Sequence, residues 1–284
     1  MAKTPVVGTI ATGIQGLSRI PFGSLLLLAS HRPKWRDVAL TDAAIYGAFD
    51  APVRILALSE LAGLPEVRLQ RRVPVLFDQW AAEAALKVCG SKPVDESDSV
   101  GLSALFDGKR LSAKEEEAAT QAARESFEQD MAAWTEKYDR VMGEELSRFN
   151  KKAEAFMVTF QAIQSPTIDL VLEQIGLVPS GGIVVIDDLT AIRKTATQAG
   201  GLKLCGERAR ALKDAAVRHA ILIVGGMPTT EVRDKRADQE RALTLEDFGA
   251  YGSPEAYADA VITAVPFYDG RSQISADHIL VSRY

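Results

Sequence analysis

Five short, nearly unbroken apolar runs punctuate the chain: SLLLLA at 24–29, VRILAL at 53–58, IVVI at 183–186, AILIV at 220–224 and AVITAV at 260–265. Runs of this length without polar alternation suit strands buried on both faces, as in a parallel sheet. Helical stretches at 37–49 and 207–218 lie between them. Strand, helix, strand in that order is a βαβ unit, so the pattern predicts an α/β domain with a mostly parallel central sheet covered by helices. One segment follows a different period. From 111 to 163, Phe127, Met131, Trp134, Tyr138, Met142 and Leu146, continued by Phe149, Ala153, Phe156, Phe160 and Ile163, keep spacings of three and four. That period predicts a long amphipathic helix or helical hairpin inserted into a single domain of 1–284. Packing on the domain's own core and coiled-coil assembly both remain open for it. Residues 79–110 are mixed, with a polar loop at 91–99.

Composition narrows the picture only a little. At 284 residues, 47% hydrophobic and 25% charged, the chain is long enough for a large core and close to the globular average. A net charge of -5 argues against coating nucleic acid through bulk positive charge, so any DNA contact must be local. Cys89 and Cys205 are far apart and form no metal-ligand or disulfide pattern, which fits a reduced setting. The N-terminus has no signal-peptide pattern, and no apolar run approaches the roughly 20 residues of a membrane span. The expectation is a cytoplasmic protein without a membrane partner.

Candidate chemistry begins where IVVI runs into Asp187 and Asp188. The carboxyl ends of parallel strands are where ligands bind, so Asp187 is placed to hold Mg through water, and Asp188 is the next candidate for a nucleotide site. Simple capping of the strand end is the alternative for the pair. After the first strand, SHRPKWRDVAL at 30–40 contains no glycine. Lys34 and Arg36 there suit an anion at a helix N-terminus, although Asp37 opposes it. Arg233, Lys235, Arg236 and Arg241 form a local basic patch for single-stranded DNA, diluted by Asp234, Asp238 and Glu240. His31, His219 and His278 stand singly and read as packing or surface residues.

The ordered stretches GGIVVIDDLTAIRK (181–194), RARALKDAAVRHA (208–220), ILIVGG (221–226) and 231–262 together resemble the RecA-like motor domain of DnaB-type replicative helicases. Asp234, Lys235, Arg236, Asp247, Gly249, Ala258 and Asp259 fall in the family's order, and GTIATGIQGL at 8–17 resembles its lead-in. The resemblance implies ATP and Mg as cofactors and assembly into an oligomer or ring. It gives Glu60, after the second strand, the role of activating water, and Asp187 that of holding the metal. Residues 233–241 would face a channel carrying DNA, and Arg283 would reach a neighbouring subunit's nucleotide.

The chain also departs from that family. A phosphate loop needs glycines for close backbone approach, a lysine on the β and γ phosphates and a hydroxyl for Mg; no register of 30–40 supplies them, so the Walker A loop is degenerate. Gly225, Gly226 and Met227 stand where a polar sensor is expected. The expectation is therefore a weakly hydrolysing or non-hydrolysing structural or regulatory subunit in DNA replication or related DNA metabolism. It would bind its own copies or a helicase-type partner, with or without ATP. An active ATP-dependent helicase with an unorthodox phosphate loop is the competing expectation, and whether the chain is an enzyme stays open.

Overall fold

A computed structural model describes residues 9–14, 17–59, 64–95, 97, 112–195, 201–230, 233–234, 239–240, 243–263 and 278–280. Their contacts divide the chain into two compact units, Met1–Val73 with Ala155–Tyr284, and Pro74–Glu154.

The first unit is built on the apolar runs. They become β3 (Leu25–Ser30), β4 (Val53–Ala57), β6 (Ile183–Ile186), β7 (Leu222–Pro228) and β10 (Ala260–Thr263). With β5 (Val158–Ala162) and β11 (His278–Leu280) they form, among the described residues, a seven-stranded sheet ordered β11-β10-β3-β7-β6-β4-β5. Every neighbouring pair is parallel except β10 with β11. A hairpin of β1 (Thr9–Ile14) and β2 (Leu17–Pro21) precedes the sheet, and β8 (Arg233–Asp234) pairs antiparallel with β9 (Gln239–Glu240).

Burial on both faces explains the unbroken apolar runs. Alternate residues of one strand serve opposite cores, as the two-residue period requires. Leu25 and Leu27 join Val184 and Ile186 on one face, where α4 (Ile168–Gly176) and α5 (Cys205–His219) supply Val171, Ile175, Ala209 and Leu212. Leu26 and Leu28 join Ile183 and Val185 on the other, against Trp35, Leu40 and Ala44 of α1 (Pro33–Ala48). Leu25 to Leu28 are each 0% exposed. Truncating any one of them to Ala would cost about 2–5 kcal/mol through lost transfer energy and the cavity left behind. The result is a three-layer α/β/α core.

The second unit contains the later part of α2 (Leu64–Cys89) and all of α3 (Ala113–Ala153), which form an antiparallel hairpin. Phe149 packs on Phe77 and Trp80 with ring centroids 5.5 and 5.6 Å away. Further along, Lys137 Nζ donates to the Val88 carbonyl at 3.1 Å and Trp134 Nε1 to the Gly90 carbonyl at 3.3 Å. At 41 residues, α3 is about 60 Å long. Its start is fixed by a capping box in which Ser112 and Glu115 satisfy each other's free groups, and Lys151 and Lys152 complement the dipole at its end. No α3 residue is buried; its apolar stripe is half-covered.

The helical reading of 111–163 needs correcting at its end. The helix stops at Ala153, and Val158–Ala162 is β5, hydrogen-bonded in parallel to β4. Phe156 and Phe160 continue the four-residue spacing, yet Val158, Phe160 and Ala162 also alternate with the exposed Thr159 and Gln161. A run this short satisfies both periods, and pairing with β4 decides between them.

Candidate functional site

The connection from β3 to α1 is only two residues long. β3 ends at Ser30, His31 and Arg32 follow, and Pro33 already opens the helix. The dipeptide explains this early start: a residue before proline is driven to extended backbone, and Arg32 has φ -98° and ψ 102°. Proline itself is favoured at the first helical position. Ser30 Oγ accepts the Arg32 N–H at 3.0 Å and closes the turn. The helix thus begins at Pro33, four residues ahead of the start expected at 37, with Trp35 and Arg36 buried.

Beyond the first turn of α1 stands an ion-pair cluster. Asp37 Oδ2 lies 3.1 Å from Arg68 Nη2, and Asp37 Oδ1 lies 3.7 Å from Arg36 Nη2. Burial pushes the Asp37 carboxyl above its ordinary range; Arg68 and Arg36 oppose that rise, while nearby Asp187 and Asp188 reinforce it. A cavity of about 30 Å³ separates Asp37, Thr41 and Arg68 from Asp187, space for about two or three water molecules at most.

Asp187 follows β6 and is 6% exposed. Its Oδ1 accepts the Leu58 N–H at 2.8 Å; its Oδ2 accepts the Ser59 N–H at 3.1 Å and the Ser59 hydroxyl at 2.9 Å. Both oxygens are therefore engaged in tying the end of β6 to the end of β4. Asp188 points its Oδ1 at Thr190, accepting the backbone N–H at 2.7 Å and the hydroxyl at 2.6 Å, and so caps the 3-10 helix Leu189–Ala191. The glycines of β7 serve close packing here. A Cβ on Gly226 would stand 2.2 Å from the Asp187 carbonyl oxygen, and one on Gly225 would stand 2.4 Å from Leu189.

The residues expected from sequence scatter around this frame. Asp187 is brought close to Asp37 and Arg68, whereas Lys34 is exposed on the first turn of α1 and Arg36 is buried beneath it. The Arg36 Nε has no hydrogen-bond partner among the described residues. Arg233 contributes its backbone to β8. Glu60, Lys235, Arg236, Arg241 and Arg283 lie outside the described residues. Sequence reasoning missed Arg68, whose signal was the helical spacing of Arg68, Arg71 and Arg72. Among the described residues, no cluster of three or more His, Cys, Asp or Glu could hold a metal ion, and no helix is long and apolar enough to cross a membrane.

Two solved structures share this architecture. One is an ATPase domain, 13% identical, matched with a TM-score of 0.54 over 95% of this chain and 81% of that one. The other is a DnaB-like replicative helicase described with its interactions with primase, 14% identical, with a TM-score of 0.53 over 96% of this chain. The chain has the fold of a RecA-like, DnaB-type motor domain. It spans 58% of the length of that DnaB-like replicative helicase. No family model and no curated protein matches the sequence. Within the RecA-like fold, β3 is the strand that leads into α1, and Asp187 sits at the carboxyl end of β6, where ligands bind in parallel sheets.

A nucleotide with its metal does not fit the described residues here. Cradling phosphates takes successive backbone N–H groups curled around the anion, and the two-residue connection with its proline offers no such loop. The Asp187 oxygens are committed to Leu58 and Ser59, and the adjoining cavity holds little more than water.

Proposed function

We propose that this chain is a DnaB-like RecA-fold subunit that does not turn over ATP and serves a structural or regulatory role in DNA metabolism, binding its own copies or a helicase-type partner. The observation that carries the reading is the passage from β3 to α1 through His31 and Arg32 alone. Phosphoryl transfer depends on positioning and on stabilising charge, and the loop lysine and the metal supply much of both. Losing one well-placed stabilising donor costs on the order of 10² to 10³ in rate, and here the cradling loop, its lysine and its hydroxyl are missing together. Asp37 adds a carboxylate close to where phosphate oxygens would sit. Asp188 caps a helix, and Glu60 would have no positioned phosphate on which to direct water.

The test is steady-state hydrolysis of ATP with Mg, with and without single-stranded DNA, alongside equilibrium binding of ATP. Background turnover unchanged by Glu60→Gln and Asp187→Asn supports the reading. Robust turnover abolished by both substitutions overturns it in favour of an active translocase. DNA contact through Arg233, Lys235, Arg236 and Arg241 belongs to the same proposal; affinity should fall steeply as salt rises and disappear when the four are replaced by Ala. Light scattering on the purified chain reads self-association, and Arg283 would contribute across such an interface.

A further inference from the structure

A second cavity, of about 370 Å³, opens between α1 and the first turns of α2. Its lining follows helical spacing on both sides: Lys34, Val38 and Thr41 on α1 face Arg68, Arg71 and Arg72 on α2. Two ion pairs brace the walls. Arg68 holds Asp37 at 3.1 Å, and Arg72 grips Asp42 with two hydrogen bonds of 2.7 and 2.8 Å. Asp37 is the carboxylate in the lining itself, and Arg68 pairs with it. Lys34 and Arg71 are left exposed, with no ion-pair partner among the described residues.

This arrangement is unexpected in a chain whose net charge is -5. Cations scattered on a surface need no explanation, but two unpaired cations at the mouth of a braced concavity create a positive potential that water screens less well. The cavity lies within the size range of small-ligand pockets. Its walls carry apolar surface as well: Val38 is 44% exposed, and the aliphatic stems of the arginines lie alongside. An arginine fork and an ammonium together match phosphate oxygens in number and charge.

We propose that this cleft binds a small organic phosphate, its phosphate held by Lys34 and Arg71 and its apolar body lying against Val38. Its volume of about 370 Å³ and its two free cations suit a small molecule better than a nucleic-acid strand, which would need a continuous basic track. The cleft adjoins the strand-end cluster around Asp187 and shares Asp37, Thr41 and Arg68 with it, but Lys34 and Arg71 line the cleft alone, and the proposal does not depend on whether the chain hydrolyses ATP. Arg68 and Arg72 act as positioning residues through their carboxylate partners.

The experiment uses phenyl phosphate as probe, measured by calorimetry and ligand-observed NMR on the full chain at about 20 mM salt, where screening is weak. Phenyl phosphate should bind saturably and more tightly than inorganic phosphate. Lys34→Gln and Arg71→Gln should each weaken it roughly tenfold or more, the loss expected for one charge-assisted hydrogen bond. Both side chains are exposed, so circular dichroism should show the variants folded. Absence of saturable binding, affinity unchanged in the double variant, or no preference over inorganic phosphate would each overturn the proposal. So would a single-stranded oligonucleotide that binds through Lys34 and Arg71 and is not displaced by phenyl phosphate. Arg71 stands on α2, away from the β3–α1 connection, so its substitution separates this site from any residual nucleotide binding at α1.

Discussion

Asp187 and Ser59, 128 residues apart in sequence, are joined by two hydrogen bonds: Asp187 Oδ2 accepts both the backbone N–H of Ser59 at 3.1 Å and its hydroxyl at 2.9 Å. The contact fastens the carboxyl ends of β6 and β4 together. Because the acceptor is buried, its removal leaves donors unsatisfied. Asp187→Asn should lower unfolding free energy by about 2–3 kcal/mol and Ser59→Ala by about 1 kcal/mol, with the double variant falling short of their sum. Denaturant titrations of the four proteins test this. A stability loss confined to ATP-containing buffer would instead assign Asp187 to a ligand.

Asp37 should make stability depend on pH in a defined direction. Its carboxyl is raised by burial, so the folded chain holds a proton at pH values where the unfolded chain has released it. Across that window the folded state binds more protons, and stability falls as pH rises from the ordinary carboxylate range through the folded value. Above that value the effect is complete. Asp37→Asn should remove this portion of the slope above the ordinary aspartate range, read from urea midpoints. An unchanged slope would show that Arg68 and Arg36 fully offset the burial.

Two glycines should resist any side chain. A Cβ on Gly206 would lie 1.7 Å from the Gly252 carbonyl oxygen, and one on Gly226 would lie 2.2 Å from that of Asp187. The obstacle in each case is backbone, which cannot swing aside. Gly206→Ala and Gly226→Ala should each cost about 1–3 kcal/mol or more, the range for overpacking a filled interior. Gly143, with nothing near its Cβ position, is the control: Gly143→Ala should stabilise α3 by about 0.5–1 kcal/mol. Thermal melts compare the three.

The two cysteines should separate cleanly by reactivity. Cys205 is 0% exposed, and burial pushes its thiol up to about 11, so it stays protonated at neutral pH despite neighbouring Arg208. Cys89 is partly exposed at the end of α2. Alkylation of the native chain, followed by mass spectrometry, should modify Cys89 and leave Cys205 intact until denaturant is added. Rapid labelling of Cys205 in the native chain would mean that the start of α5 opens readily.

The sequence by itself determined the layers of this protein. Unbroken apolar runs at Leu25–Ser30, Val53–Ala57 and Ile183–Ile186 have few stable arrangements other than strands covered on both faces, and the helices between them follow from chain length. The helix of Leu64–Cys89 was not legible because Pro74 interrupts its pattern, a residue that usually ends helices. β5 hid for the opposite reason, since its short alternation matched the period of the helix before it. At the candidate site, the position of Asp187 after an apolar strand was readable, as was the absence of glycine from residues 30–40. What its carboxylate does was decided only by tertiary structure. Ser59 meets Asp187 because β4 and β6 pair in register, and Arg68 meets Asp37 because α2 returns alongside α1. Such contacts join residues far apart in sequence, and local pattern carries no information about which distant donor will arrive at a given acceptor.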